Sequence, residues 1–204
     1  MNCDHIARYY RWLEYLSFGR ELERRRFRYL ADVVDARSAL ILGGGDGRFL
    51  ARLTRTSRAR IHYIDSSARM LELARERASA GKNGHGRVRY QLADARQAGL
   101  APAQYDLIVA HFFLDCFEEH DAARLIERVA AAAQPRARWL ISEFRPAPWS
   151  APATRALYLF FRAATGLKTR RLMDHRPWLI RNGFRLEREE RSYFGWLASE
   201  LWAR

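Results

Sequence analysis

Apolar and polar positions switch between two periods along the middle of this chain. Apolar runs of strand length recur at residues 39–42, 60–65, 88–93, 105–111 and 138–144. Between them apolar residues fall three and four apart, the spacing of a helix with one buried face. Ala39-Leu40-Ile41-Leu42 leads into Gly43-Gly44-Gly45-Asp46-Gly47 and then into the periodic segment from Arg48. The second run, Arg60 to Asp65, ends in a carboxylate. Ser66 or Ser67 is placed to cap the next helix. Its apolar positions are Met70, Leu71, Leu73, Ala74 and Ala78, and Gly81, Gly84 and Gly86 end it. Val88 to Ala93 leads into Asp94. Tyr105 to His111 leads into Phe112-Phe113-Leu114-Asp115-Cys116-Phe117. Asp121 is expected to cap a helix running to Gln134, with Leu125, Ile126 and Val129 on one face and Pro135 stopping it.

The two ends of the chain read differently. Residues 1–36 form a helical leader carrying Tyr9, Tyr10, Trp12, Tyr15 and Phe18, interrupted at Gly19 and restarting at Glu21. After residue 145, Pro146, Pro148 and Pro152 break the chain. An aromatic helix over 153–165 contains Leu157, Tyr158, Phe160 and Phe161, and a later helix holds Pro177 to Ile180 and ends at Asn182-Gly183. Two antiparallel strands around Gly195 are expected to finish the chain. Strands alternating with helices over 37–145 predict the α/β class with a parallel sheet. A length of 204 residues suits one domain.

The glycine loop is the first candidate for chemistry. Glycine lets a backbone turn sharply and approach a ligand closely, and the strand feeds a helix N-terminus. The spacing is G-x-G-x-G at Gly43, Gly45 and Gly47; the third glycine of a dinucleotide fingerprint would fall on Arg48. Asp65 lies 20 positions after Gly45 at a strand end, where a carboxylate can accept hydrogen bonds from ribose hydroxyls.

These ordered elements resemble the class I S-adenosylmethionine (SAM)-dependent methyltransferases over residues 39 to 145, and in outline to the C-terminus. The Asp4-His5-Ile6-Ala7-Arg8-Tyr9-Tyr10 start is similar to the ubiquinone and menaquinone group. The resemblance implies a Rossmann-like, doubly wound sheet of seven strands, order 3-2-1-4-5-7-6 with strand 7 antiparallel. It also implies a helical cap (1–36), a SAM-binding core (37–145), and covering helices with a terminal hairpin (146–204). It implies that SAM is held by Gly43, Gly45, Gly47, Asp65 and Asp94, with Gly44, Asp46, Ser66, Met70 and Ala95 as further contacts, His111 beside them and Tyr10 as a cap. Asp94 would meet the adenine amino group. S-adenosylhomocysteine is the implied product, and no metal is required.

His111 and Asp115 are the polar side chains nearest the expected methyl position. His111 reads as a base or substrate orienter with Asp115 assisting, or alternatively as a backbone-bonded histidine beside a turn cap. Tyr15, Phe112, Arg145 and Tyr158 are candidate substrate contacts. Ile41 stands two positions before the first motif glycine, where many of these enzymes carry an acidic residue, so the contact to the cofactor's amino group must come from elsewhere. The departure leaves open SAM chemistry other than methyl transfer, such as cyclisation.

Charge alters this picture only modestly. The formal net charge is +13, and Lys82 and Lys168 are the only lysines. Such a charge can favour nucleic acid or an anionic membrane surface. The arginines are dispersed rather than gathered in one stripe, so an RNA methyltransferase or RNA-binding module is the lesser alternative, as is a non-catalytic scaffold. No apolar run reaches 18 residues, so no membrane span is expected, although residues 153–172 are amphipathic enough for interfacial contact. Cys3 and Cys116 are too few for a disulfide framework or a zinc site. A cytoplasmic enzyme acting on a small, apolar or aromatic methyl acceptor is the expectation.

Overall fold

In the computed structural model, residues 19–80, 86–145 and 172–204 are described. Their strands are β1 (Ser38–Leu42), β2 (Arg60–Asp65), β3 (Val88–Leu92), β4 (Tyr105–His111), β5 (Ala133–Phe144), β6 (Arg185–Ser192) and β7 (Leu197–Ala203). The helices are α1 (Glu21–Phe27), α2 (Arg48–Thr56), α3 (Ala68–Ser79), α4 (Glu119–Ala132) and α5 (Arg176–Arg181). The strands form one sheet in the order β3-β2-β1-β4-β5-β7-β6. Its first five members are parallel, and β7 runs antiparallel to both β5 and β6. This is the sheet that the family resemblance implies.

The apolar strands are explained by burial on two faces. Side chains alternate across a strand. Leu40 and Leu42 of β1, Ile108 and Ala110 of β4, and Trp139 and Ile141 of β5 enter one core with Leu125, Ile126 and Val129 of α4. Ala39, Ile41, Leu107, Val109 and Leu140 enter the other with Phe49, Leu50 and Leu53 of α2 and Leu71 and Ala74 of α3. Helices therefore cover both faces, and continuous apolar runs are what such strands require. Ser67, rather than Ser66, caps α3: its hydroxyl accepts the Met70 N–H at 3.1 Å.

Two boundaries differ from the sequence expectation around α4. The helix begins at Glu119, so Asp121 lies in its first turn instead of capping it. There an acidic side chain suits the helix dipole, and Asp121 pairs with Arg96 at 2.6 Å. The chain leaves the helix at Ala133, before Pro135 can stop it, and enters β5 at once. Pro135 falls where the β4–β5 register shifts, in a stretch where Arg136 has φ 68°. A proline without an N–H is tolerated at such an irregularity.

α1 is tied to the far side of the sheet. The Arg25 carbonyl accepts hydrogen bonds from the buried hydroxyls of Ser142 on β5 (3.0 Å) and Ser199 on β7 (2.8 Å). The Arg25 guanidinium pairs with Glu21 and with Glu190 of β6. The next residue, Arg26, is thereby set against the carboxyl ends of the central strands.

Candidate cofactor and active site

Between β1 and α2 the backbone enters the left-handed region at Gly43, Gly45 and Gly47 (φ 56°, 60° and 78°). Two of these glycines serve different purposes. A Cβ on Gly47 would lie 2.5 Å from the Ala74 Cα, so this glycine lets α2 and α3 pack. At Gly45 nothing lies within 4 Å of the Cβ position, which leaves the backbone open to a ligand.

The end of β2 is bonded to that loop. Asp65 accepts the Gly45 N–H at 3.1 Å through one carboxylate oxygen and the Ser67 N–H at 2.9 Å through the other. A carboxylate offers about four acceptor sites, which suits it to a ribose diol as well. Tyr63 donates its hydroxyl to the Gly45 carbonyl at 2.8 Å. Burial, helped by Asp65 and Asp46, pushes that phenol well above its ordinary range and keeps it a donor.

Two clefts flank the loop. One is lined by Asp65, Ser66, Asp94, Ala95, Phe113 and Cys116, among others. The other is lined by Gly43, Gly44, Gly45, Asp46, His111, Phe112 and Arg26, among others. Phe113 lies between them, with its ring on Gly43. The open backbone at Gly45, the Asp65 carboxylate and the paired clefts fit SAM. Met70 is buried under the first turn of α3. Asp94 departs from a bare acceptor. Its carboxylate is held by Arg96 at 2.6 Å, which keeps it below the usual carboxylate range, so an adenine amino group would share it.

Asp46 is not available as a simple acidic contact. It pairs with Arg48 at 3.0 Å and Arg77 at 2.6 Å. Burial alone would raise its pKa, but Arg48, Arg77 and Arg26 together hold it low.

His111 and Asp115 do not form a dyad. The His111 ring packs edge-on to Phe49 at 4.9 Å. Both ring nitrogens are shut off from solvent and make no hydrogen bond among the described residues. Burial, reinforced by Arg26, drives the imidazole well below its ordinary pKa, so it is neutral. The assisting role expected of Asp115 is therefore not met, because its carboxyl turns to Glu143 at the end of β5. Glu143 Oε1 accepts the N–H groups of Phe113 (3.0 Å) and Leu114 (2.8 Å). Two carboxyls in contact cannot both ionise readily. Burial pushes Asp115 up to about 6 and Glu143 well above the usual carboxylate range, leaving a proton between them.

Arg145 also serves inside the protein. Its side chain is buried and joined to Glu200 of β7 and, at 2.7 Å, to Asp174. Glu200 further accepts from His175 Nε2 (2.7 Å), Trp202 Nε1 (2.8 Å) and Arg176 (2.8 Å). Burial would raise Glu200, yet His175 and Arg145 hold it far below the usual carboxylate range. Tyr10, Tyr15 and Tyr158 lie outside the described residues. Sequence reasoning missed Glu143 and Arg26. A lone acid ending an apolar strand was a usable signal for Glu143. Nothing distinguishes Arg26 from its neighbours in Arg24-Arg25-Arg26. Among the described residues no group of three or more His, Cys, Asp or Glu side chains could hold a metal ion. None of their helices is long and apolar enough to cross a membrane.

Sheet order, glycine cradle and strand-end carboxylate are together those of the class I methyltransferase fold. Residues 39–136 match the family model described as a methyltransferase domain. No curated protein matches the chain. Solved structures do. A SAM-dependent methyltransferase from Mesorhizobium loti superposes with TM-score 0.69 and 23% identity, over 88% of this chain and 98% of that one. The magnesium protoporphyrin IX methyltransferase from Synechocystis PCC 6803, with bound S-adenosylhomocysteine, gives 0.68 and 20%, over 93% and 84%. Mitomycin 7-O-methyltransferase gives 0.72 and 19%, over 100% and 61%.

Proposed function

We propose that this enzyme methylates a small, apolar or aromatic acceptor. The observation that carries the reading is an aromatic cluster behind the His111 cleft, whose wall it reaches through Phe112. Phe112 packs on Phe144 (5.5 Å between ring centroids) and Phe144 on Trp196 (5.2 Å), with Leu22 of α1 completing the cluster. These rings sit at the carboxyl ends of β4 and β5 and the start of β7, where ligands bind in open parallel sheets.

Gly43, Gly45, Asp65 and Asp94 hold the cofactor, assisted by Gly44, Ser66 and Ala95. Bound SAM supplies an activated sulfonium methyl. The chain's own task is alignment and exclusion of water. Phe112 and its neighbours keep the acceptor's surroundings dry. His111, being neutral, can accept a hydrogen bond or a proton. Dispersed arginines and the apolar rings favour a small acceptor over nucleic acid, and the cytoplasm is the expected site of action.

Calorimetric titration with SAM and S-adenosylhomocysteine tests the reading, followed by methyl transfer to a panel of phenols, amines and thiols. Micromolar binding that Asp65→Ala abolishes, with turnover of an apolar acceptor, is expected. Binding without methyl transfer to any acceptor, but with conversion of SAM itself, would replace transfer by other SAM chemistry.

A further inference from the structure

We propose that the amino-terminal ends of β1, β2 and β3 form a docking surface for a double-helical nucleic acid, held through its backbone phosphates. This partner is distinct from the methyl acceptor, and the proposal does not depend on the SAM reading.

The net charge of +13 is spread along the sequence, but the fold sorts the arginines by their partners. Around β5 to β7 they are paired: Arg138 with Asp35, Arg145 and Arg176 with Glu200, Arg188 with Asp32, and Arg191 with Glu189. At the starts of β1 to β3 they are not. Arg37, Arg55, Arg58 and Arg60 are exposed, and none pairs with a carboxylate among the described residues. The sheet sets this rim in order. The Arg60 N–H donates to the Arg37 carbonyl and the Ile61 N–H to the Arg87 carbonyl, both at 2.8 Å. Neighbouring strands lie about 4.8 Å apart, so the rim crosses three strand ends in a short row. Arg55, Arg58 and Arg87 also line one concavity with Thr56 and Ser57, and no acid lines it. The Arg87 guanidinium donates to the carbonyls of Ser57 (2.8 Å) and Thr54 (2.9 Å), which fixes it against the negative end of α2. The acids nearest in sequence are engaged: Asp35 by Arg138, and Asp106 by the N–H groups of Arg37 (2.8 Å) and Ser38 (2.9 Å).

Like charges gathered in this way repel one another until a counter-charge covers them. The rim's chemistry narrows what that is. A guanidinium fork matches phosphate oxygens. None of the concavity's residues is aromatic, so the bases of a single strand find no stacking platform. None is apolar, so nothing there enters a bilayer. A duplex needs neither: it presents closely spaced phosphates and is held by them without base contacts. The first five strands are parallel, which puts the rim at the opposite end of the sheet from Gly45 and Asp65. A docked duplex therefore leaves the cofactor clefts open.

Binding of a short fluorescent DNA duplex is measured by anisotropy over a salt series. Three proteins are compared: the full chain, the rim triple Arg55→Ala/Arg58→Ala/Arg60→Ala, and a control triple Arg124→Ala/Arg181→Ala/Arg185→Ala that removes the same charge elsewhere. At low salt the rim triple is expected to weaken the duplex about tenfold or more, and to lower the slope of log affinity against log salt by about 2–3. The control triple is expected to stay close to the full chain. Melting temperature and S-adenosylhomocysteine binding, recorded alongside, are expected to be unchanged in both, because the replaced side chains are exposed and line neither cleft. Should the rim triple fail to fold, Arg58→Glu serves, with a loss of duplex affinity expected from one inverted charge. An equal loss in the two triples would reduce the effect to net charge and overturn the proposal, as would no duplex binding at low salt. Inorganic triphosphate and phosphatidylglycerol vesicles are the competing probes. Rim-dependent binding of either one at least as tight as that of the duplex also overturns it.

Discussion

The two halves of the sheet build their ligand-facing ends by different means. On the β1–β2 side the work is done by backbone: left-handed glycines, amides on Asp65, and a carbonyl on Tyr63. On the β4–β5–β7 side it is done by buried side chains. Glu143 holds the loop after β4, and Glu200 gathers Arg145, His175 and Arg176. Backbone construction depends on residues close in sequence and tolerates few substitutions. Side-chain construction joins distant residues and fails when one charge loses its partner.

The largest effect is expected from removing the hub of the second half. Glu200→Ala leaves Arg145 and Arg176 short of a buried partner, and breaking such pairs costs about 3–5 kcal/mol. A denaturant midpoint close to that of the unaltered protein would show the network to be dispensable. In the first half, Gly47→Ala places a methyl against the α3 backbone at a left-handed φ. A loss of about 2–4 kcal/mol is expected in the same measurement. Gly45→Ala sharpens the contrast, because its Cβ meets nothing. Backbone strain of about 1–2 kcal/mol is expected there, with a loss of S-adenosylhomocysteine affinity larger than that strain accounts for. Equal losses of stability and affinity at both glycines would erase the distinction drawn between them.

A pH experiment probes the shared proton of the second half. Burial holds Asp115 at about 6, above its ordinary 3.8. The folded protein keeps a proton there that the unfolded chain releases. The pair's contribution to stability is complete below 3.8 and is lost as pH rises through 6. Asp115→Asn, which cannot titrate, is expected to flatten the change in melting temperature between about pH 4 and about pH 6.5. An unchanged profile would mean that Asp115 and Glu143 do not share a proton. The smallest effect belongs to Arg69→Ala, which removes an exposed i,i+3 pair with Glu72 at 2.7 Å. No resolvable change in melting temperature is expected, and a clear drop would show that this surface pair matters more than its exposure implies.

The same division decides what could be read from the sequence. β2 and β4 fall on the expected residues, 60–65 and 105–111, because their apolar runs are dictated by cores on both faces. The glycine loop and Asp65 were legible because a turn and a strand-end carboxylate are local features. The α4–β5 boundary was not: proline's effect on a helix is local, but the irregular pairing that absorbs Pro135 depends on β4. Asp115 was expected beside His111 from proximity in sequence, yet its partner lies on the next strand, at Glu143. Arg145 reads from the sequence as a substrate contact because its partners, Asp174 and Glu200, are 29 and 55 positions away. Arg26 lines the cleft on a helix that serines of β5 and β7, far off in sequence, help to anchor.

The placement of β7 carries a consequence for how the sheet assembles. β6 is made first but pairs only with β7, which separates it from β5. Until β7 follows, neither β6 nor the exposed edge of β5 has a neighbour in this sheet. A tight turn over 193–196 joins the last two strands, so they can zip together as a hairpin on the microsecond scale. That hairpin then docks across a long sequence separation, the slower kind of event. In the docked register Trp202 lies opposite Trp139. Both indoles become fully buried, which makes tryptophan fluorescence a natural clock for the step that closes the sheet.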